Sequence, residues 1–298
     1  MRGRSRALLV ALLAAFAPTL GAQVKGPPEF AAQVAAVYVD AFVTRGGRPV
    51  ADLAASQFEL RDNGVAQRLE LISSASRPLS AVMVFDTSSS MAGERLRALR
   101  AAGEAFLDGL RPADRAGLVA FNHDVFWLAE PTADKAAVRR PLSRLRAGGM
   151  TSVFDALYAA ILLSAGELPP LVVLFTDGED NSSWLDAADV RLFAERSNAL
   201  VHVVAWRPPQ VSEAQTARMN AQERLLRDIA EAAGGRFWNA DSPDRLRRAF
   251  GEIADAIGHR YVLRYEPTGV QRRGWHAIGL RLRVKGEVHS RRGYWVGP

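Results

Sequence analysis

The chain contains no cysteine, which excludes disulfide staples and a lipid-modified amino terminus. Lysine is nearly absent as well: Lys25, Lys135 and Lys285 are the only ones among 38 basic residues. The formal charge is +6, and Arg2, Arg4 and Arg6 at the amino terminus supply half of it, leaving +3 for the rest. The remaining basic residues alternate with acidic ones, as in Arg191–Glu195 and Glu223–Arg227. That pattern describes a solvated surface rather than a stripe that tracks phosphates, and no nucleic-acid motif occurs. No Gly-rich G-x-x-x-x-G-K-[ST] loop is present. Beyond the first twenty residues no stretch approaches the ~20 apolar residues of a membrane span.

What the amino terminus does have is a basic start followed by the apolar segment Ala7–Leu20. Gly21-Ala22 before Gln23 offers a cleavage point, so residues 1–22 read as a secretory signal, with a retained anchor as the competing reading. Export to the periplasm or the exterior follows as an expectation. At 298 residues the chain has room for a full α/β core and a smaller unit.

The most informative stretch is Ala81–Met91. A short all-apolar run, Ala81–Phe85, reads as a buried strand and ends in Asp86-x-Ser88-x-Ser90, with a helical pattern from about Glu94. One carboxylate and two hydroxyls therefore meet at a strand-to-helix turn, where ligands bind in open α/β sheets. Oxygen-only side chains favour Mg²⁺, Mn²⁺ or Ca²⁺ over Zn²⁺. Two further segments have the same character. Gly148-Gly149-Met150-Thr151 opens the apolar helix Val153–Leu163, which has Asp155 in its first turn. Leu171–Phe175 is a second apolar strand, ending in Thr176-Asp177-Gly178-Glu179-Asp180. Asp86, Ser88 and Thr151 could equally be helix caps, and Asp177 a turn residue before Gly178.

Periodicity organises the rest. Residues 23–78 read as an amino-terminal β-unit, with a hairpin turn at Asn63-Gly64. From 79 to 260 strands alternate with helices, which implies an α/β fold: a doubly wound, mostly parallel, Rossmann-like sheet with helices on both faces. Residues 261–298 return to strands, expected to pair with the amino-terminal set because neither set is large enough alone. Gln222–Ala233 reads as a helix, and Arg207–Ala221 as a loop that shapes specificity or has no role. Glu179 and Asp180 read as solvated loop acids, Asn122 and His123 as tight-turn residues, and His202 as a satisfied core histidine. Trp184 either packs or faces a partner.

The three motif segments together resemble the von Willebrand factor type A (VWA) domain and its metal-ion-dependent adhesion site, over roughly Leu79–Arg260. Asp86, Ser88, Ser90, Thr151 and Asp177 match that site's residues in order and context. The flanks resemble those of exported bacterial VWA proteins. Tyr261, Leu263, Tyr265 and Pro267 fit their Y-x-L-x-Y-x-P segment. Gly47, Pro49 and Val50 fit only part of the amino-terminal pattern, where Val43 and Thr44 replace Thr and Asp. The resemblance implies Mg²⁺ or Mn²⁺ held directly by Ser88, Ser90 and Thr151, with Asp86 and Asp177 acting through water. It also implies an open position for the acidic side chain of a protein ligand. The implied role is adhesion or assembly without catalysis. The alternatives are an envelope scaffold stiffened by metal and a metal-dependent hydrolase, although no G-x-S-x-G elbow surrounds Ser88 or Ser90.

Overall fold

In chain order the strands and helices of the computed structural model are β1 (Val37–Arg45), β2 (Arg48–Pro49), β3 (Phe58–Asp62), β4 (Val65–Ala66), β5 (Glu70–Ile72), β6 (Ser80–Asp86), α1 (Glu94–Gly109), β7 (Arg115–Phe121), β8 (Val125–Thr132), α2 (Lys135–Ser143), α3 (Val153–Leu163), β9 (Pro170–Thr176), α4 (Ala187–Arg196), β10 (Leu200–Trp206), α5 (Glu213–Ala232), β11 (Phe237–Ala240), α6 (Pro243–Gly258), β12 (Tyr261–Tyr265), β13 (Gly274–Leu282), β14 (Glu287–Ser290) and β15 (Gly293–Val296). The structure describes residues 36–72, 78–207 and 212–297. The leader expected at 1–22 lies outside them. Among the described residues no helix is long and apolar enough to cross a membrane.

The apolar runs become the middle of a six-stranded sheet with the order β11-β10-β9-β6-β7-β8. Its neighbours pair in parallel except the edge strand β8, which runs antiparallel to β7. Both faces are covered, so β6 has no polar face and reads as a continuous hydrophobic run. Alternation along β6 divides its side chains. Ala81, Met83 and Phe85 join one core with Leu99, Phe106 and Leu142 of α1 and α2 and Phe250 of α6. Val82 and Val84 join the other, with Leu157 and Ile161 of α3, Val190 of α4 and Ile229 of α5. This is the doubly wound, mostly parallel α/β architecture that the alternation of strands and helices implies.

The flanking strands form two further sheets over one shared core. Strand β1 lies between β12 and β14, pairing antiparallel with both, and β5 extends the sheet from β12. In the second sheet β13 lies between β3 and β15. Asn63 and Gly64, with φ of 45° and 83°, form the tight turn between β3 and β4. Val39, Leu60, Leu263, Tyr265 and Ile278 fill the space between the sheets. At its centre is a buried polar knot from four strands. Asp62 Oδ2 accepts hydrogen bonds from the Tyr265 and Tyr294 hydroxyls, each at 2.8 Å, and Asp62 Oδ1 lies 2.9 Å from His276 Nδ1. Burial, reinforced by Asp62, pushes both phenols above the ordinary tyrosine value, so they remain donors.

Several contacts join this sandwich to the α/β layer. Buried Arg260, just after α6, donates from Nε to Asp40 Oδ1 of β1 at 3.1 Å. Just after α5, Gly234, at φ +77°, has room for no side chain against the backbone of Arg291, between β14 and β15. Arg291 Nη1 also donates to Asn198 Oδ1 at 2.6 Å.

The elements differ from the sequence expectation in two places. Helix α5 begins at Glu213, so most of the segment read as a loop is helical. Its start is a capping box, in which Ser212 Oγ accepts from Gln215 N while Gln215 Oε1 accepts from Ser212 N. Strand β14 was not expected as a separate strand within the carboxyl-terminal set.

Candidate metal centre

Strands β6 and β9 are parallel neighbours, with Phe85 opposite Phe175. Their ends therefore deliver Asp86 and Thr176 side by side, and the Thr176 hydroxyl donates to Asp86 Oδ2 at 2.6 Å. The other carboxylate oxygen, Oδ1, accepts from Ser88 N at 2.8 Å. This bond folds the chain back over the strand end and presents Ser88 and Ser90 on one side of a short 3₁₀ turn, Ser89–Met91. The two serine hydroxyls are 3.0 Å apart, and Ser90 Oγ donates to Asp177 Oδ1 at 2.7 Å.

Thr151 reaches the same place from a third loop. Gly148 N donates to Thr87 O at 2.8 Å and Ser89 N to Gly149 O at 3.0 Å, so the Gly148–Gly149 segment is sewn to the Asp86–Ser90 loop. The Thr151 hydroxyl carries no hydrogen bond to another described residue. A Cβ built on Gly178 would lie 3.5 Å from Thr151 Oγ1 and 3.9 Å from Ser90 Oγ, so both hydroxyls open toward the space beside Gly178. All five expected site residues thus converge at the carboxyl end of the central sheet. Asp86, Ser88, Thr151 and Asp177 are buried, and Ser90 is exposed.

The electrostatics of the cluster are unbalanced toward negative charge. Burial, and after it the neighbouring Asp177 carboxylate, push Asp86 up to about 6 despite its hydrogen bonds from Ser88 and Thr176. Asp177 has a counter-charge that sequence reasoning did not anticipate: Arg95 Nη1 lies 2.5 Å from its Oδ2 and also donates to Ser90 O at 3.1 Å. Arg95 stands five positions after Ser90, at the start of the expected helix, and that spacing was the available signal.

The donor set suits a hard divalent ion. Hydroxyl and carboxylate oxygens are the donors such ions take, and the two serine hydroxyls stand 3.0 Å apart. Both oxygens of Asp86 and of Asp177 are already engaged. Asp177 thus holds the Ser90 hydroxyl, while Asp86 holds the Ser88 backbone and the Thr176 hydroxyl. Among the described residues no group of three or more His, Cys, Asp and Glu could hold a metal.

The loop after Asp177 also differs from expectation. Asp180 is no solvated loop acid: its Oδ2 accepts from Val153 N at 2.7 Å and Phe154 N at 3.2 Å, capping α3. Asn181 Oδ1 accepts from Thr151 N at 2.8 Å. Asn122 behaves as a turn residue, accepting from Asp124 N and donating to Gly148 O. His202 is buried, but only its Nδ1 is satisfied, by Arg236 N at 3.1 Å; Nε2 has no partner among the described residues.

Residues 81–179, which contain all five site residues, match the family model of the von Willebrand factor type A domain. The matched segment is thus similar to the VWA domain, and the α/β layer has the VWA-like fold. A UPF0353 protein of Mycolicibacterium paratuberculosis is 28% identical over 204 residues, covering 61% of this chain and 61% of the relative. A UPF0353 protein of Mycobacterium tuberculosis is 22% identical over 223 residues, covering 67% and 66%. The chain thus spans about three-fifths of the first of these relatives and two-thirds of the second. Among solved structures, the von Willebrand factor type A protein from Catenulispora acidiphila superposes with a TM-score of 0.52 at 15% identity, over 87% of this chain and 74% of that one. The D319A mutant of the PilB minor pilin of Streptococcus sanguinis gives 0.51 at 15% identity, over 61% and 62%. These two likenesses are of fold.

Proposed function

We propose that the protein is an exported binding module, for adhesion or assembly, that captures an acidic side chain of a protein partner through a divalent cation. Ser88, Ser90 and Thr151 hold the ion, Mg²⁺ or Mn²⁺, with Asp86 and Asp177 beside them. The observation that carries this reading is the convergence of three hydroxyls from two loops on one cleft, with two carboxylates beside them and Ser90 open to solvent. A cation bound there supplies a Lewis-acidic position for an outside carboxylate. The chain's own contribution is to keep that position electron-poor. Neutral hydroxyls face the cleft, and Arg95 offsets the charge of Asp177. The relation to VWA domains supports a protein-binding role.

Calorimetric titration with Mg²⁺ and Mn²⁺ tests the site. Ser88→Ala and Thr151→Ala are expected to weaken the ion while costing only about 1 kcal/mol of stability, since each removes one hydroxyl at a cleft. Asp86→Ala is expected to lose ~10–100-fold in affinity as an outer partner of the ligands. Capture of partner proteins on immobilised protein is expected in Mg²⁺ and not in EDTA. Unchanged capture in EDTA would refute the reading. A metal-raised melting temperature with no metal-dependent capture would favour the scaffold alternative.

A further inference from the structure

A groove of about 610 Å³ lies between the end of α5, the start of β11 and strands β13 and β14 of the sandwich. It sits at the amino end of β11, so it is at the opposite end of the parallel strands from the hydroxyl cleft. Its α/β wall is basic. Arg227 of α5 lies over the Phe237 ring, with Cζ 4.4 Å from the centroid, and Arg236 lies over the Trp238 ring at 4.9 Å. Neither guanidinium has a hydrogen bond or an ion pair to a described residue. A guanidinium packed on a ring keeps its N–H donors for another acceptor. The carboxylate on this wall, Glu231, already has Arg292 Nη2 at 3.5 Å. Burial, and after it Arg236, push His289 on the facing strand below the ordinary histidine value, although Glu287 and Glu231 pull it up. Positive charge is in excess across the groove.

The sandwich side of the groove is an open strand edge. Strand β13 pairs with β15 only as far as Ala277, and Ile278 N donates to Arg292 O. Beyond that point the returning chain is β14, which has left for the other sheet and pairs with β1. From Gly279 to Leu282, therefore, β13 pairs with β3 and has no strand on its second edge among the described residues. Residues along an antiparallel strand turn their N–H and C=O groups to alternate edges. Arg283 N donates to Gln57 O, so Arg283, Arg281 and Gly279 address β3, while Ile278 and Leu280 address the other edge. Gly279 and Leu280 line the groove, and Leu280 presents a backbone donor and acceptor on that edge.

We propose that this groove takes an extended acidic peptide segment, which adds as a strand to the open edge of β13 and places its carboxylates on Arg227 and Arg236. An amide edge is matched by another polypeptide backbone, which a phosphate or a sulfated sugar does not supply. Paired guanidinium donors suit carboxylates. Side chains of a strand alternate in face, so the acids stand at every second position. The residues between them meet Leu280 and Val288, half-buried at the edge of the sandwich core. This surface needs no cation at the hydroxyl cleft.

The test is fluorescence anisotropy of a labelled peptide of ~8 alternating Glu and Val residues, a usual strand length, on the full chain in EDTA. Binding is expected, and Arg227→Ala and Arg236→Ala are each expected to weaken it ~10-fold, as loss of a charge-assisted hydrogen bond does. Arg227 is exposed, so its variant is expected to melt as wild type does. Two further peptides carry N-methyl groups on the Glu amides or on the Val amides, which point to opposite edges of a strand. One is expected to lose binding and the other to keep it. An equal effect of the two methylations would overturn strand addition. No binding in EDTA, or undiminished binding by the double variant Arg227→Ala/Arg236→Ala, would overturn the proposal. Displacement by dextran sulfate as readily as by unlabelled peptide would reassign the groove to polyanions and also overturn it. Binding that appears only in Mg²⁺ would belong to the hydroxyl cleft, overturning the groove proposal and leaving the metal reading standing.

Discussion

Asp86 and His202 are buried in the same α/β layer and are displaced in opposite senses. Asp86 is held up to about 6 by burial and by Asp177. Between pH ~4 and about 6 the native state therefore keeps a proton that the unfolded chain has released, and stability falls as pH rises through this window. The displacement from 3.8 to about 6 corresponds to about 3 kcal/mol. His202 is pushed down to about 3 by burial, then by Arg236 and His289. Between about 3 and 6.5 the unfolded chain takes up a proton that native His202 refuses, so here stability rises with pH. The two slopes oppose each other over much of the same range. In EDTA, Asp86→Asn is expected to make stability rise more steeply from pH 4 to 6, and His202→Gln to make it rise less or fall. Urea denaturation across that range measures both, and superimposable profiles for wild type and the two variants would contradict the assignment. Saturating Mg²⁺ is expected to cancel the Asp86 slope in wild type, because a bound cation favours the carboxylate.

At the level of elements, the loop from Asp180 to Leu185 and the start of α3 act as one part. Removing the Asp180 carboxylate leaves Val153 N and Phe154 N without their acceptor, so Asp180→Ala is expected to cost about 1–2 kcal/mol. It is also expected to weaken Mg²⁺, because Thr151 loses the neighbour that fixes its loop. Thermal melting with and without Mg²⁺ reads both effects, and full metal affinity in a destabilised variant would separate the cap from the site. Sequence made the site residues legible because Asp86, Thr151 and Asp177 each follow an apolar run or open an apolar helix. It left Asp180 unread, because a carboxylate that caps a helix 26 residues away looks the same in sequence as one in water. Helix α5 was half legible for a related reason. Leu226, Ile229 and Ala230 are buried and give a periodic stripe, whereas Glu213–Ala221 is mostly exposed and gives none. Strand β14 is four residues long with no buried position, too little pattern to stand out from a turn.

For the whole molecule, the sandwich depends on strands from both ends of the described chain. Deleting Tyr261–Pro298 would strip β1 of β12 and β14 and strip β3 of β13, leaving Val39 and Leu60 uncovered. Such a truncation is expected to aggregate, as unpaired apolar strands do. A monodisperse, cooperatively melting product in light scattering and calorimetry would contradict this. The same arrangement sets an order of events during synthesis. Asp40 and Arg260, which join the two units, are 220 positions apart, and β1 finds β12 only across that distance. In the six-stranded sheet, β6 precedes its neighbour β7 and β9 its neighbour β10, each with one helix between. Pairings of short sequence separation close first. The hydroxyl cleft therefore takes shape while β1 and β3 still wait for strands not yet made. Over that interval the earliest strands are the ones in need of a chaperone.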